Sequence, residues 1–386
     1  MRLVRTFHPV GHGAFYTERF YEDNNPQPIF TAIFDCGCFE AAKLGTTMQF
    51  FQNQIENELQ QTFNVGDRID ALFVSHFHTD HINGIDWLLK NCNVNRIFIP
   101  VLTPRVVLEA YLFNFIQTGS INNIGNSFIE DAYSGLLPNV SQIRSTRKSL
   151  KERRVEKINI ARVYNRYLSP SSQLYHNSIP WLYIPFNLLA GQHIFLLFKN
   201  SPLKAIIKNG KIDFANLRSY LQTMGVGACQ KIYTSHLKYK SKTKINHNSY
   251  SMTTLSYFPR SNGNYQIMWN NSYVSANTSF MNCLYMGDFE ANDKYPKQNT
   301  NLKKLKFFYN SYWKNIGILQ VPHHGSEHNY HDDLYDYQRH CIISHGMTDK
   351  YNHPDALVIN GINRHQCLSL QVTEDPASKQ TYMFII

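Results

Sequence analysis

Residues 74–84, VSHFHTDHING, constrain this chain more than any other stretch. The apolar run before them, IDALFV at 69–74, reads as a buried strand, and four ligand-grade side chains follow within six residues. His76 and His78 alternate with Phe77, so in an extended segment both imidazoles face one side, while Asp80 and His81 follow on the turn. Imidazole and carboxylate are the ligands that suit Zn²⁺, and two ions close together need more groups than one site supplies. A plainer reading makes the histidines ordinary and Asp80 a helix cap. It competes poorly with an H-x-H-x-D-H pattern placed behind a strand.

The surrounding pattern is α/β. FTAIF (30–34) and IDALFV read as strands flanking a helix over 47–63, where Phe50, Phe51, Ile55 and Leu59 follow a 3.6 period. A short helix over 84–92 and a strand at RIFIP (96–100) repeat the alternation. From 101 to 235 it loosens into helices over 104–117 and 213–224, a basic helical stretch over 143–160 and two strands within 181–198. It returns in apolar runs at 281–286, 316–321 and 341–344. Polar clusters end these runs: Asp35, Ser75-His76, Gly287-Asp288, His323-His324 and His345-Gly346. Such strand ends are where α/β sheets usually place ligands.

Composition narrows the classes. The chain has 386 residues, 43% hydrophobic and 17% charged, enough to bury a core and too apolar for a disordered segment. Seven cysteines without regular spacing argue against a disulfide scaffold, and Cys36-Gly-Cys38 lacks the second pair a cysteine zinc site needs. Charged and polar residues interrupt the first 20 positions, so no signal peptide is expected and a cytoplasmic setting follows. The uncharged stretch 179–198 is broken by Pro180, Pro185 and Gly191 and is not expected to span a membrane. The net charge of +10 is local: 144–166 carries nine Lys/Arg against two Glu, and 231–244 carries five Lys and no acid. With Tyr164, Tyr167, Tyr233 and Tyr239 interleaved, these segments are read as a strip that tracks phosphates while aromatic faces stack on bases. The residues assigned to it are Arg147, Lys148, Lys151, Arg153, Arg154, Lys157, Lys238 and Lys240. Two solvated basic faces are the plainer alternative.

These motifs together resemble the metallo-β-lactamase superfamily of di-metal hydrolases, and most closely the branch that includes the hydrolase domain of the bacterial competence DNA-uptake channel. The resemblance rests on PVGHG (9–13), IFDCG (33–37), HFHTDHINGIDWLLKN, RIFIP, NHNS (246–249), YMGDFE (285–290), VPHHGS (321–326), and SHG with NHPDAL (344–357). It implies a four-layer α/β/β/α sandwich of two mixed sheets with metals at one edge. Residues 1–100 and 236–386 would form the hydrolase domain, and 101–235 would be an inserted, partly basic subdomain.

The resemblance also implies two divalent ions, zinc first and manganese as the alternative. His76 and His78 would bind the first, Asp80 and His81 the second, and Asp288 would bridge them. His323 would complete the second site, with His324 beside it as the alternative. His247 is taken as the third ligand of the first ion, but the branch is Asn-rich here and Asn246 or Asn248 could point inward instead. Asp35 is expected to orient a ligand by hydrogen bond. His12 stands where the branch has Gln, and His8 and His345 are as readily structural as functional.

The chemistry expected is hydrolysis of a phosphodiester, that of a nucleic acid first, by a metal-bridging hydroxide. Asp80, His324 and His353 are the candidate catalytic side chains, the last two for protonating or neutralising the leaving alkoxide. No Ser-His-Asp or Cys-His pair and no phosphate-binding Gly-rich loop stands out, which disfavours covalent catalysis. Two alternatives remain: a hydrolase of a smaller ester, such as a cyclic nucleotide or a phosphorylcholine-type substrate, and a non-catalytic component of a bacterial defence or DNA-processing complex.

Overall fold

The structure is a computed structural model that describes residues 1–40, 47–144, 156–169, 172–187, 206–239, 250–256, 264–291, 300–347 and 351–386. Two mixed sheets lie face to face. The first has ten strands in the spatial order Tyr167–Leu168, Val140–Ile143, Ile97–Pro100, Ala71–Phe73, Phe30–Cys36, Phe15–Tyr21, Arg2–Phe7, Gln380–Ile385, Asn264–Trp269 and Ser272–Asn277. The second has eight: Leu368–Val372, His340–Ser344, Ile318–Gln320, Cys283–Tyr285, Tyr250–Ser256, Trp181–Asn187, Gln173–Tyr175 and Lys157–Asn159.

Period-two alternation builds the layers. Ala32, Phe34, Ala71 and Phe73 face the second sheet, where they meet Trp181, Tyr183 and Tyr285 in one buried cluster. Their neighbours Ile33, Leu72 and Val74 face outward and pack under helices that include Met48–Thr62 and Pro104–Thr118. On the far side Leu182, Ile184, Phe186, Cys341 and Ile343 pack with Leu302, Leu305 and Val358 of other helices. A strand that is apolar on both faces must be covered on both, so four layers follow. This is the α/β/β/α sandwich that the motifs imply.

At the centre of the sheet-to-sheet layer Arg5 and Glu18 form a fully buried ion pair at 2.8 Å, and Tyr183 and Tyr285 donate their hydroxyls to Glu18. The Pro104–Thr118 helix has the signals expected of it. Thr103 accepts a hydrogen bond from Val106 N, Pro104 opens the first turn, and Gly119 ends the helix at φ 69°.

Within 101–235 five strands take part in the two large sheets, and Ile207–Lys208 and Lys211–Ile212 pair with each other apart from them. Val140–Ile143 and Tyr167–Leu168 extend the first, while Lys157–Asn159, Gln173–Tyr175 and Trp181–Asn187 extend the second. The expected basic helix over 143–160 is not what the described part shows: its ends, Val140–Ile143 and Lys157–Asn159, are strands held by parallel neighbours. Helix propensity there gives way to long-range pairing, which a local pattern does not reveal. The helix expected over 213–224 begins at Phe214, turns at Gly225 (φ 70°) and resumes to Tyr239. Arg147, Lys148, Lys151, Arg153, Arg154, Lys240, Asn246, His247 and Asn248 lie outside the described residues. Among the described residues no disulfide forms, and no helix is long and apolar enough to cross a membrane.

Candidate metal centre

The parallel strands Ala71–Phe73 and Phe30–Cys36 of one sheet and Cys283–Tyr285, Ile318–Gln320 and His340–Ser344 of the other all end at the same edge of the sandwich. The five polar clusters predicted at strand ends come from these segments. Two glycines let the chain close up there. At Gly37 a Cβ would lie 2.5 Å from the Asp80 carbonyl, and at Gly287 (φ 50°) a Cβ would lie 2.7 Å from Ser75 Cβ. The Asp-x-Gly and Gly-Asp motifs therefore bring the backbones of the ligand-bearing loops into contact.

Asp288 lies between the histidines. Its Oδ2 is 3.3 Å from His76 Nε2 and 3.7 Å from His78 Nδ1, and its Oδ1 is 3.4 Å from His81 Nε2. Asp80 Oδ2 is 3.5 Å from His81 Nε2 and 3.2 Å from His324 Nε2. Among the described residues three overlapping groups could hold a metal ion: His76, His78 and Asp288; His81, Asp288 and His324; and His12, Asp80 and His324. The last arises because the His12 ring lies 3.8 Å from that of His324.

Three of the imidazoles are fixed from behind. His81 Nδ1 donates to Asp35 Oδ2 at 2.8 Å, and Asp35 Oδ1 accepts from Ser75 N at 2.6 Å. His76 Nδ1 shares a 2.9 Å hydrogen bond with Ser75 Oγ, and His324 Nδ1 donates to the Ser344 carbonyl at 2.9 Å. These contacts leave Nε2 of each ring turned towards the carboxylates, the posture of a metal-binding histidine. Gln320 was not singled out by sequence. Its Oε1 accepts from both Met286 N (2.6 Å) and Gly287 N (2.7 Å) and so sets the turn that presents Asp288. A lone Gln ending a short apolar strand gives no signal of that role.

The donor set fits a divalent ion. Nε2 of His76 and His81, Nδ1 of His323 and Oδ1 of Asp288 are buried without hydrogen-bond partners. His324 Nε2 and Asp80 Oδ2 are at hydrogen-bond distance, 3.2 Å, whereas the other donor separations, 3.3–3.7 Å, are too long for good hydrogen bonds. They match the edge of a tetrahedron of ligands about 2.0–2.1 Å from a zinc ion, which is roughly 3.4 Å. Charge agrees with geometry. Burial opposes ionisation of Asp80, yet His81 and His324 hold its carboxyl well below the usual range; Asp288 is likewise held low by His323 and His76. Burial also opposes a charged His81, but Asp80 and Asp35 outweigh it and hold this imidazole well above its ordinary value. His78, by contrast, is pushed down to about 4, chiefly by burial. Ionised carboxylates among buried imidazoles call for positive charge, and a divalent cation supplies it better than a proton on His81.

Of the two histidines weighed for the second site, His324 lies with His81 and Asp288 and 3.2 Å from Asp80; successive left-handed residues at 323 and 324 (φ 49° and 57°) turn it inward onto Ser344. His323 is one-third exposed and reaches Asp288 Oδ2 with Nδ1 at 3.7 Å. The short helix Thr79–Ile82 has no side-chain cap, so Asp80 is not held there by capping. His353 lines the same cavity, its Nδ1 3.3 Å from Asp355 Oδ2. His8 and His345 bond elsewhere, to Glu58 and Thr17 and to Gln371 and Gly346 respectively. Of the basic residues assigned to nucleic acid, Lys157 is described and exposed, and Lys238 lies in the last turn of the helix that ends at Tyr239.

Comparison with known proteins agrees with this geometry. Residues 30–120 match the Metallo-beta-lactamase superfamily. The chain is also similar to ribonuclease J of Mycoplasma genitalium, 30% identical over 81 residues, which are 20% of this chain and 13% of that protein's length.

Proposed function

We propose that the protein is a metal-dependent phosphodiesterase acting on nucleic acid or nucleotides. The observation that carries this reading is the convergence of His76, His78, Asp80, His81, Asp288 and His324 at metal-ligand spacing, with His78, Asp80, Asp288 and His324 lining one cavity. In this reading His76, His78 and His247 hold one ion, Asp80, His81 and His324 the other, and Asp288 lies between them. Zinc suits the donor set, with manganese as the alternative, and two such ions supply Lewis acidity and acidify water. Asp35, Ser75 and Ser344 hold the rings. His353, backed by the Asp355 carboxylate, is placed to give a proton to a departing alkoxide.

Support for a nucleic-acid substrate comes from outside the metal centre. The matched superfamily is one of hydrolases, and the similar protein is a ribonuclease. At the end of the first sheet Tyr164 and Tyr167 are 58% and 57% exposed, with the guanidiniums of Arg96 and Arg144 lying 3.7 and 5.2 Å from their ring centroids. Exposed rings among cations are what stacking and phosphate contacts require. Closeness to the competence branch and a cytoplasmic setting belong to the same reading and rest on the motifs.

A cavity of about 460 Å³ is also the size of a small-ligand site, which favours a cyclic nucleotide or a phosphorylcholine-type ester as the second reading. Assays on single-stranded and duplex DNA, RNA, cyclic nucleotides and bis(p-nitrophenyl) phosphate, with and without chelator, separate the two. Hydrolysis lost to chelator and restored by zinc or manganese is expected. Protein that contains two ions per chain and cleaves none of these substrates would overturn the proposal.

A further inference from the structure

The cavity above the His–Asp floor has two unlike walls. One is the Pro104–Thr118 helix, whose Phe113 and Gln117 are four residues apart and so share a face. The Phe113 ring stacks on His78 at 3.9 Å, which makes this wall apolar and rigid beside the floor. Gln117 Oε1 is buried there without a hydrogen-bond partner, an arrangement that is unfavourable until a donor meets it.

The other wall is a cluster of rings in which Tyr351, His353 and His12 all lie within 6.5 Å of one another. Tyr351 stacks on His353 (5.8 Å, 21°), His353 on His12 (6.5 Å, 19°), and His12 lies against His324 (3.8 Å). Through His12 the cluster reaches the His324–Asp80 contact. Tyr351 lines the cavity, is 48% exposed, and is backed by the rings of His353 and His12. Beside it are Glu327 and Asp355, whose carboxylate accepts from Glu327 N at 2.7 Å. Two acids on this rim repel a phosphate backbone laid continuously across it.

We propose that the cavity is a subsite for one unpaired nucleotide, its phosphate over the His–Asp floor, its base stacked on Tyr351 and a base N–H donated to Gln117. The proposal rests on the phosphodiesterase reading and sharpens it. A cavity of about 460 Å³ admits one nucleotide unit, and a base held in a duplex would have to leave its stack to enter. The favoured substrates are therefore single strands, strand ends and short nucleotides. Stacking gives affinity with little base preference, and the Gln117 contact supplies the preference.

The test is calorimetric binding of AMP, CMP, GMP, UMP and ribose 5-phosphate to the metal-loaded protein, with metal content measured alongside. The nucleoside monophosphates are expected to bind about tenfold or more tighter than ribose 5-phosphate. Tyr351→Ala removes that advantage and Tyr351→Phe keeps it, with ribose 5-phosphate affinity and metal content unchanged in both. Gln117→Leu alters the ranking of the four bases while leaving ribose 5-phosphate binding unchanged. Equal binding of nucleotides and ribose 5-phosphate, or a Tyr351→Ala variant that weakens both alike, overturns the subsite. In that case metal-dependent cleavage of bis(p-nitrophenyl) phosphate still upholds the phosphodiesterase reading. If that cleavage and all phosphate binding are absent, the reading fails and the subsite with it.

Discussion

Asp35 Oδ2 lies 2.8 Å from His81 Nδ1, and its other oxygen accepts the Ser75 backbone N–H, so one carboxylate ties the first strand-end motif to both ends of the H-x-H-x-D-H loop. It does so from a left-handed backbone position, φ 49°, which Asn also tolerates well. Asp35→Asn therefore keeps the turn and the Ser75 contact but removes the charge that orients and polarises His81. The expected result is a 10- to 100-fold loss of metal affinity, of the order usual for such partners, with a largely unchanged melting temperature. Chelator competition measures it, and affinity within twofold of the parent would show that Asp35 acts on the turn alone.

Asp80→Ala combined with His81→Ala removes two of the four side chains proposed to surround the second ion, His324 and the shared Asp288 being the others. Hydrolysis should fall to background and about one ion per chain should be lost, while circular dichroism stays native-like, because neither side chain belongs to the apolar clusters that hold the layers together. Metal analysis by atomic emission and a phosphodiester assay check the two halves separately. Full activity in this variant would remove the assignment of the second site.

Much of this was legible because each strand that bears a ligand ends abruptly. Phe34 is followed by Asp35, Val74 by Ser75-His76, and Tyr285-Met286 by Gly287-Asp288. Apolar side chains buried on both faces mark the strand, and the first polar group past them must lie at the sheet edge. The choice between His323 and His324 was not legible. Two consecutive left-handed residues decide which ring turns inward, and that depends on the Ser344 carbonyl twenty residues away. Gln117 and Gln320 were equally silent, since one amide on a helix or strand has many plain uses. The strands at 157–159 and 173–175 pair in parallel across a gap in sequence, so no local period announces them. The third ligand expected for the first ion, His247, lies outside the described residues.

Lys157 is exposed at the far end of the second sheet, next to the basic segment that contains Arg153 and Arg154. Changing Arg153, Arg154 and Lys157 to Gln should weaken binding to long nucleic acid and flatten its salt dependence by about two to three counterions' worth of slope. Metal content and cleavage of bis(p-nitrophenyl) phosphate should not change. Fluorescence anisotropy over a salt series gives the slope, and an unaltered slope would mark the segment as merely solvated.

His340 offers a stability test away from the metal centre. Its Nδ1 lies 2.8 Å from the Tyr382 hydroxyl, and the rings of Trp269 and Phe280 cover it at 5.0 and 4.7 Å. Burial pushes it down from 6.5 to about 4. The unfolded chain therefore binds a proton between pH 6.5 and 4 that the folded protein refuses, and ν_U exceeds ν_N there. Stability from this residue is complete above pH 6.5 and is lost as pH falls through that window, with a slope of at most about 1.4 kcal/mol per pH unit. His340→Gln cannot titrate and keeps a polar group that can meet Tyr382. It should be less stable than the parent at pH 7.5, where packing against Trp269 is lost, yet show a shallower fall in melting temperature between pH 6.5 and 4.5. Parallel melting curves for parent and variant across that range would assign the acid sensitivity to other buried imidazoles, His8 first among them, since burial pushes it down to about 4 as well.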